Sequence, residues 1–189
     1  MNDEVTAPLS LLFVCTGNLC RSPMAEVVAT DLAVSRTLPV VFDSAGTAAR
    51  NGSPMHPLTL AVLEAHGHCG GRFTASYLAP SMISSADVVL AFTRSQRSRC
   101  QQIAPIQWKK IFTLKEFVQL SRWGSLNSAI AARTQVDATD PELDIADPIG
   151  GPRTSFESTF SEIRPLLEVV VSWVESHGAE SKAARVQRN

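Results

Sequence analysis

A thiol, a guanidinium and a hydroxyl occur close together near the start of the chain, in the stretch FVCTGNLCRS of residues 13–22. Cys15 ends an apolar run, and Arg21 and Ser22 follow it after a short loop. A thiolate is a strong nucleophile, and a guanidinium binds two oxygens of one phosphate group at once. Backbone N–H groups of a loop that enters a helix N-terminus also attract anions. The spacing therefore predicts a phosphate-binding loop with a nucleophile at its base.

Each loop residue has a role in this prediction. The helix N-terminus and Arg21 favour the thiolate form of Cys15. Gly17 and Asn18 tolerate the left-handed backbone that wraps a loop around an anion. Ser22 would donate its hydroxyl to the sulfur and improve it as a leaving group. The predicted phosphate-binding residues are Thr16, Gly17, Asn18, Leu19, Cys20, Arg21 and Ser22.

The elements around the loop predict an α/β fold. Ser22 is the predicted N-cap of a helix that continues through PMAEVVATDLAV, because serine favours this position and proline suits the first turn. Short apolar runs separated by helical patterns favour an open four-stranded parallel sheet with helices on both faces. The predicted strands are residues 9–14, 40–44, 87–92 and 110–114. We expect one domain over residues 1–189, with a core over about 8–177 and a flexible tail at 178–189.

Composition restricts the function. The formal net charge is −1, which favours neither nucleic acid nor an anionic membrane surface. No apolar run approaches the ~18–20 residues of a membrane helix. The acidic start of the chain does not resemble a signal peptide, so we expect a cytoplasmic protein. Its four cysteines have no CxxC or CxxH spacing, so we expect neither a disulfide scaffold nor a metal site.

The motif CTGNLCRS resembles the signature C-x-G-N-x-C-R-S of the low-molecular-weight protein tyrosine phosphatase family. The resemblance extends through DSAG and ADVVLAFT to DPIGG and the last predicted helix. It implies a three-layer sandwich and a phosphoprotein phosphatase that works through a cysteinyl-phosphate intermediate without metal or cofactor. The implied partner is a phosphorylated protein substrate, and the implied assembly is a monomer or a weak homodimer.

The family carries its general acid in an Asp-Pro pair just before the last helix. This chain has two such pairs, at Asp140 and Asp147. Only Asp147 is followed by Ile149-Gly150-Gly151 and then directly by the helix, so the resemblance assigns the acid to Asp147. Asp140 is the expected turn former, because aspartate before proline is common in turns.

The resemblance also implies supporting residues. Asn18, Ser44 and His68 match positions of a hydrogen-bond network that stiffens the loop. For His68, an ordinary loop histidine is an equal alternative. Cys20 matches the second cysteine of the signature, and a disulfide with Cys15 under oxidation is a further expectation.

The rim of the pocket leaves the substrate open. Tyrosine-directed members carry a larger aliphatic residue after the nucleophile and aromatic walls, where this chain has Thr16, Arg50 and Ile149. Thr16 and the segment FTLKEF resemble the protein arginine phosphatase branch, whereas Arg50 would repel a guanidinium. Hydrolysis of phosphotyrosine-type phosphomonoesters is the first interpretation, and phosphoarginine is the alternative. A thioredoxin-linked arsenate reductase and a silent phosphate-binding protein are further alternatives, of which the first lacks its relay cysteine pair and the second needs no nucleophile.

Overall fold

The computed structural model describes the backbone of residues 8–186 and the side chains of residues 8–177. The element order alternates strands and helices, as the sequence predicts. The strands are β1 (Leu9–Cys15), β2 (Val40–Gly46), β3 (Val88–Ala91) and β4 (Ile111–Thr113). The helices are α1 (Arg21–Ser35), α2 (Pro57–Ala65), α3 (Pro80–Ser85), α4 (Arg94–Ile103), α5 (Leu114–Ser121), α6 (Leu126–Ala131) and α7 (Arg153–Val186).

The four strands form one parallel sheet in the order β2-β1-β3-β4. Side chains of β1 alternate between two apolar layers, since successive residues of a strand face opposite sides. Leu11 and Phe13 pack with α1, α5 and α7, whereas Leu12 and Val14 pack with α3 and α4. The prediction of an open parallel sheet with helices on both faces is therefore confirmed.

The sheet order places a topological switch point beside β1. The chain passes from β1 to β2 on one side and then crosses to β3 on the other. Ligands of open α/β sheets bind outside the carboxyl ends of the strands at such a point. The loop of residues 16–20 leaves β1 there and enters α1.

The start of α1 differs from the prediction. Cys20 is the N-cap residue and makes no side-chain cap hydrogen bond, and α1 begins at Arg21. The prediction of Ser22 as N-cap is wrong, because Ser22 lies inside the first turn. Its hydroxyl lies 2.9 Å from the sulfur of Cys15. The side chain of Ser22 therefore contacts the sulfur of Cys15 and does not cap the helix.

The last helix extends into the expected tail, whose flexibility stays a prediction. The expected tail is helical through Val186, since α7 runs for 34 residues from Arg153. The extension GAESKAARV is rich in alanine, glutamate, lysine and arginine, which have high helix propensity without needing an apolar face. Residues 1–7 and 187–189 lie outside the described part. Within that part, no helix is both long and apolar enough to cross a membrane.

Candidate active site

The loop between β1 and α1 forms a compact cradle around the sulfur of Cys15. Cys15 is buried, and the backbone N–H of Asn18 points at its sulfur over 3.2 Å. Asn18 has a φ of 53°, the left-handed conformation that the sequence predicts for it. Gly17 has no positive φ, so the left-handed turn rests on Asn18. The N–H of Asn18 and the hydroxyl of Ser22 thus both lie within hydrogen-bond distance of the sulfur.

The side chain of Asn18 holds the cradle from inside. Its Nδ2 donates to Ser22 Oγ and to Ser44 Oγ, each over 2.8 Å. Its Oδ1 accepts a hydrogen bond from Ser76 N over 2.7 Å. Both N–H donors of this buried carboxamide and one lone pair of its oxygen are thereby directed to one arrangement. The structure therefore brings Ser44 to the loop, as the resemblance implies.

In the described contacts His68 does not reach the loop, as expected for the alternative of an ordinary loop histidine. Its Nδ1 is 2.6 Å from Asp31 Oδ2, and its ring lies against Phe160. Asp31 is ten residues beyond Arg21 on α1, about 15 Å along the helix axis. The backbone N–H of Ser76 supports Asn18 instead. No side-chain pattern could have indicated this contact, since a main-chain group makes it.

Arg21 enters the site from the first turn of α1 and is 3% exposed. Its NH1 donates to the carbonyl of Ile145 over 2.9 Å, and its NH2 pairs with Asp147 Oδ2. Its Nε is buried and has no hydrogen-bond partner among the described residues. A buried donor without an acceptor carries a desolvation cost that an anion would remove.

The two Asp-Pro pairs have different surroundings. The carboxylate of Asp147 is 40% exposed and reaches Arg21, and its second oxygen accepts from Ile149 N over 3.3 Å. Asp140 accepts from Glu142 N over 2.9 Å and starts a single 3-10 turn, as expected of a turn former. The structure thus brings Asp147, and not Asp140, to Arg21.

The rim contains both expected and unexpected residues. Thr16 is exposed, and its Oγ1 accepts from Gln96 Nε2 over 2.9 Å. Arg50 is exposed on the loop after β2, whose N–H groups of residues 47 and 48 donate to the carbonyls of residues 15 and 16. Ile149 is 51% exposed beside Asp147. Sequence reasoning missed Gln96, which lies in a polar helix and carries no motif.

Cys20 is buried beside the cradle, and both Cys15 and Cys20 are free thiols. Burial raises the pKa of Cys20 to about 11, and the negative charge of Asp147 acts in the same direction. Cys20 is therefore a neutral thiol at physiological pH and does not compete with Cys15 as a nucleophile. The described residues contain no group of three or more His, Cys, Asp or Glu side chains placed to hold a metal ion.

Comparison with known proteins assigns the chain to a family. The sequence model of the family "Low molecular weight phosphotyrosine protein phosphatase" matches residues 10–128. A protein-arginine-phosphatase of Bacillus subtilis (strain 168) is 33% identical over 84% of this chain and 92% of its own length. A low molecular weight protein-tyrosine-phosphatase of Streptomyces coelicolor (strain ATCC BAA-471 / A3(2) / M145) is 32% identical over 88% of this chain and 96% of its own length.

Among solved structures, a YwlE arginine phosphatase mutant with a phosphorylated active site serine has a TM-score of 0.74 and 28% identity. The match covers 88% of this chain and 96% of that chain.

The close packing of Gly46 against the cradle gives a first prediction. A Cβ at this position would lie 2.5 Å from the carbonyl oxygen of Thr16 and 2.8 Å from the nitrogen of Asn18. Gly46→Ala must therefore displace the loop, and a displacement near 1 Å costs about a hundredfold in rate. We expect kcat/KM for p-nitrophenyl phosphate to fall by about that factor. Gly71→Ala is the matched control, because a Cβ there meets nothing within 4 Å; equal activities of the two variants would contradict the prediction.

A second prediction concerns Glu26, which lies behind the cradle. Burial raises the pKa of Glu26 above 4.5, although a hydrogen bond with Ser44 opposes the shift. A raised folded-state pKa gives a stability contribution that is complete below the ordinary glutamate pKa and is lost as pH rises through the folded value. Glu26→Gln should therefore raise the melting temperature increasingly from about pH 4.5 upward, with little change at pH 4. Each kcal/mol corresponds to about 2–4 °C.

The matched control is Glu64→Gln, at an exposed position of α2. Thermal unfolding of both variants and the parent across pH 4–8 makes the comparison. A melting-temperature difference for Glu26→Gln that is constant over this range, or largest at pH 4, would rule out the burial effect.

The element order, the cradle, the buried arginine and the family match agree, and the chain belongs to the low-molecular-weight phosphotyrosine protein phosphatase family.

Proposed function

We propose that this phosphatase hydrolyses phosphotyrosine-type phosphomonoesters of proteins through a cysteinyl-phosphate intermediate on Cys15. The observation that carries the proposal is that Arg21, whose guanidinium pairs with Asp147, follows directly on the loop that surrounds the sulfur of Cys15. A nucleophile, a phosphate-binding cation and a carboxyl group are the three parts that metal-free phosphoryl transfer requires.

Substrate binding begins at Arg21. A phosphate group replaces Asp147 on the guanidinium and accepts from the unpartnered Nε and the N–H groups of the loop. The exchange satisfies a buried donor and releases the carboxylate of Asp147 toward the leaving group. The interaction with the carbonyl of Ile145 keeps the guanidinium oriented throughout.

Phosphoryl transfer then uses Cys15 and Asp147. The sulfur attacks phosphorus, a P–S bond forms, and the P–O bond to the leaving group breaks. Protonated Asp147 gives its proton to the departing oxygen, which leaves as a neutral alcohol. The phosphorylated serine in the YwlE mutant structure supports a covalent intermediate at the equivalent nucleophile.

Hydrolysis reverses these roles. Asp147, now a carboxylate, takes a proton from water while the water oxygen attacks phosphorus and the P–S bond breaks. Asn18 Nδ2 donates to Ser22 Oγ, so the hydroxyl proton of Ser22 can point to the sulfur 2.9 Å away, which is nearer than the alternative acceptor, the carbonyl oxygen of Ala45 at 3.5 Å. That hydrogen bond stabilises the departing thiolate, and inorganic phosphate is the second product.

The rim supports an aryl substrate. Exposed Ile149 and Tyr77 and half-buried Leu19 offer apolar surface around the cradle to a phenyl ring. Tyr77 pairs through its backbone with Gly46, directly beside the loop. The cation of Arg50 on the neighbouring loop disfavours a guanidinium.

Phosphoarginine is the second candidate, and a specific observation favours it. The relative that is 33% identical and the structure with a TM-score of 0.74 both carry the name arginine phosphatase. Thr16 also offers an exposed hydroxyl at the rim, although Gln96 already donates to its oxygen.

The arsenate reductase alternative has less support, because burial raises the pKa of Cys100 to about 12 and suppresses its thiolate. A cytoplasmic location and a monomer or weak homodimer stay predictions.

The test of the proposed function compares phosphotyrosine and phosphoarginine peptides of the same sequence. We expect kcat/KM to be about tenfold higher for phosphotyrosine, equivalent to about 1.4 kcal/mol. Cys15→Ser should reduce turnover of either substrate roughly a thousandfold or more, while vanadate binding stays measurable because backbone groups make most of the cradle. A serine variant with several per cent of the parent activity would contradict the covalent mechanism, and a preference for phosphoarginine would select the second candidate.

The identity of the acid is tested with leaving groups of different basicity. Asp147→Asn cannot donate a proton, so we expect kcat for phosphotyrosine, whose phenol has a pKa near 10, to fall about a hundred- to ten-thousandfold. The loss should be much smaller for p-nitrophenyl phosphate, whose leaving group is a weaker base. Asp140→Asn is the matched control and should leave both rates nearly unchanged. A large loss in the Asp140 variant with a normal Asp147 variant would reverse the assignment.

A further inference from the structure

Arg94, the first residue of α4, makes an unusually complete set of contacts with the loop that carries Asp147. Its backbone N–H donates to Asp144 Oδ1 over 2.6 Å. Its Nε and NH2 reach the two carboxylate oxygens of Asp144 over 3.2 and 3.1 Å. Its NH1 donates to the carbonyl of Thr139. One arginine therefore holds the loop at two points through both ends of its guanidinium.

Asp144 is three residues before Asp147, and other contacts fix the segment between them. Ile145 N donates to the carbonyl of Phe92 over 2.8 Å, which ties the loop to the end of β3. Lys115 Nζ donates to the carbonyl of Asp144 over 3.2 Å. Beyond Ile145, Asp147 pairs with Arg21, a contact that phosphate replaces in the proposed reaction; Asp147 and Ile149 are exposed, and Gly150 has a φ of 80°. The position of the Asp147 carboxyl therefore depends on how firmly Asp144 and Ile145 are held.

The pKa values of Asp144 and Arg94 favour an ion pair between them. Burial acts to raise the pKa of Asp144, but the hydrogen bonds and positive charge of Arg94 outweigh it, and the net pKa of Asp144 is lowered. The same carboxylate raises the pKa of Arg94. Both groups are therefore ionised at neutral pH. The bidentate geometry requires arginine, because lysine offers one point charge where the fork offers two aligned donors.

We propose that Arg94 is a positioning residue for the general acid, which acts by anchoring Asp144 and thereby placing Asp147 over the cradle. The inference deepens the proposed function and rests on Asp147 as the acid. Arg94 touches neither Cys15 nor Arg21 in the described contacts, so its loss should leave nucleophilic attack intact. What it should impair is proton transfer, which requires the carboxyl within hydrogen-bond reach of the leaving oxygen.

Substrates that need the acid to different degrees test the proposal. In Arg94→Met, kcat/KM for phenyl phosphate should fall about ten- to a hundredfold, a part of the full contribution of a general acid. For p-nitrophenyl phosphate, the fall should stay below about threefold, because this leaving group departs without help. Arg99→Met is the matched control, since Arg99 is an exposed residue of the same helix whose NH1 donates to Gln102.

A second variant removes the other partner of the pair. Asp144→Asn should show the same dependence on the leaving group, and the double variant should lose little more than either single one, because residues of one ion pair are not additive. These measurements also distinguish the anchor from simple stabilisation of the fold, which would change both substrates equally. Should Arg94→Met not fold, Asp144→Asn alone carries the comparison.

Equal losses on the two substrates, or no loss on phenyl phosphate, would overturn the positioning role. Failure of the proposed function has a different signature, since Asp147→Asn would then lack any dependence on the leaving group. If Asp147→Asn depends on the leaving group and Arg94→Met does not, the assignment of Asp147 as the acid is retained and the positioning role of Arg94 is wrong.

Discussion

The buried carboxamide of Asn18 is the interaction on which the rest of the site depends. It lies between the loop, β2 and the segment after residue 75, and it joins Ser22, Ser44 and Ser76 through hydrogen bonds of 2.7–2.8 Å. Its own N–H points at the sulfur of Cys15. The left-handed backbone of Asn18 is possible because asparagine tolerates αL better than most residues. Asn18 thus forms the left-handed turn, donates a hydrogen bond to Ser22 and places its N–H at the sulfur of Cys15.

The sheet supplies the framework for this arrangement. Parallel strands end at the same edge, so Cys15 at the end of β1 lies beside Gly46 at the end of β2. The close approach of the loop to Gly46 requires a residue without a Cβ, since any side chain would meet backbone atoms of Thr16 and Asn18. The carbonyl of Phe92, just beyond β3, accepts from the loop that carries Asp147. Cys15, its supporting residues and the loop of Asp147 therefore depend on three adjacent strand ends.

Local sequence was sufficient to predict the cradle and the sheet, because both rest on spacing and apolar patterns along short segments. The assignment of Asp147 required a family resemblance, since its partner Arg21 lies more than a hundred residues earlier in the chain. For His68 the sequence left two interpretations open, because the support that Asn18 receives from Ser76 comes from a backbone N–H, which every residue except proline possesses. Gln96 and Arg94 were missed for a related reason. They belong to a polar helix whose function arises only from what the fold places against it.

At Ser22, a tertiary contact with Cys15 overrides the local preference of serine for a helix N-cap. Its sequence context favours an N-cap, but the cap would direct its oxygen to the helix and away from Cys15. The first turn of α1 consequently has no side-chain acceptor, and its positive end stays available to an anion. Arg21 also has a group without a partner: its charge is buried against Asp147, but its Nε has no acceptor among the described residues. A phosphate group would bind both to the uncapped N-terminus of α1 and to the Nε of Arg21. The missing cap and the missing acceptor lower the stability of this turn, and the same unpaired groups would bind the substrate.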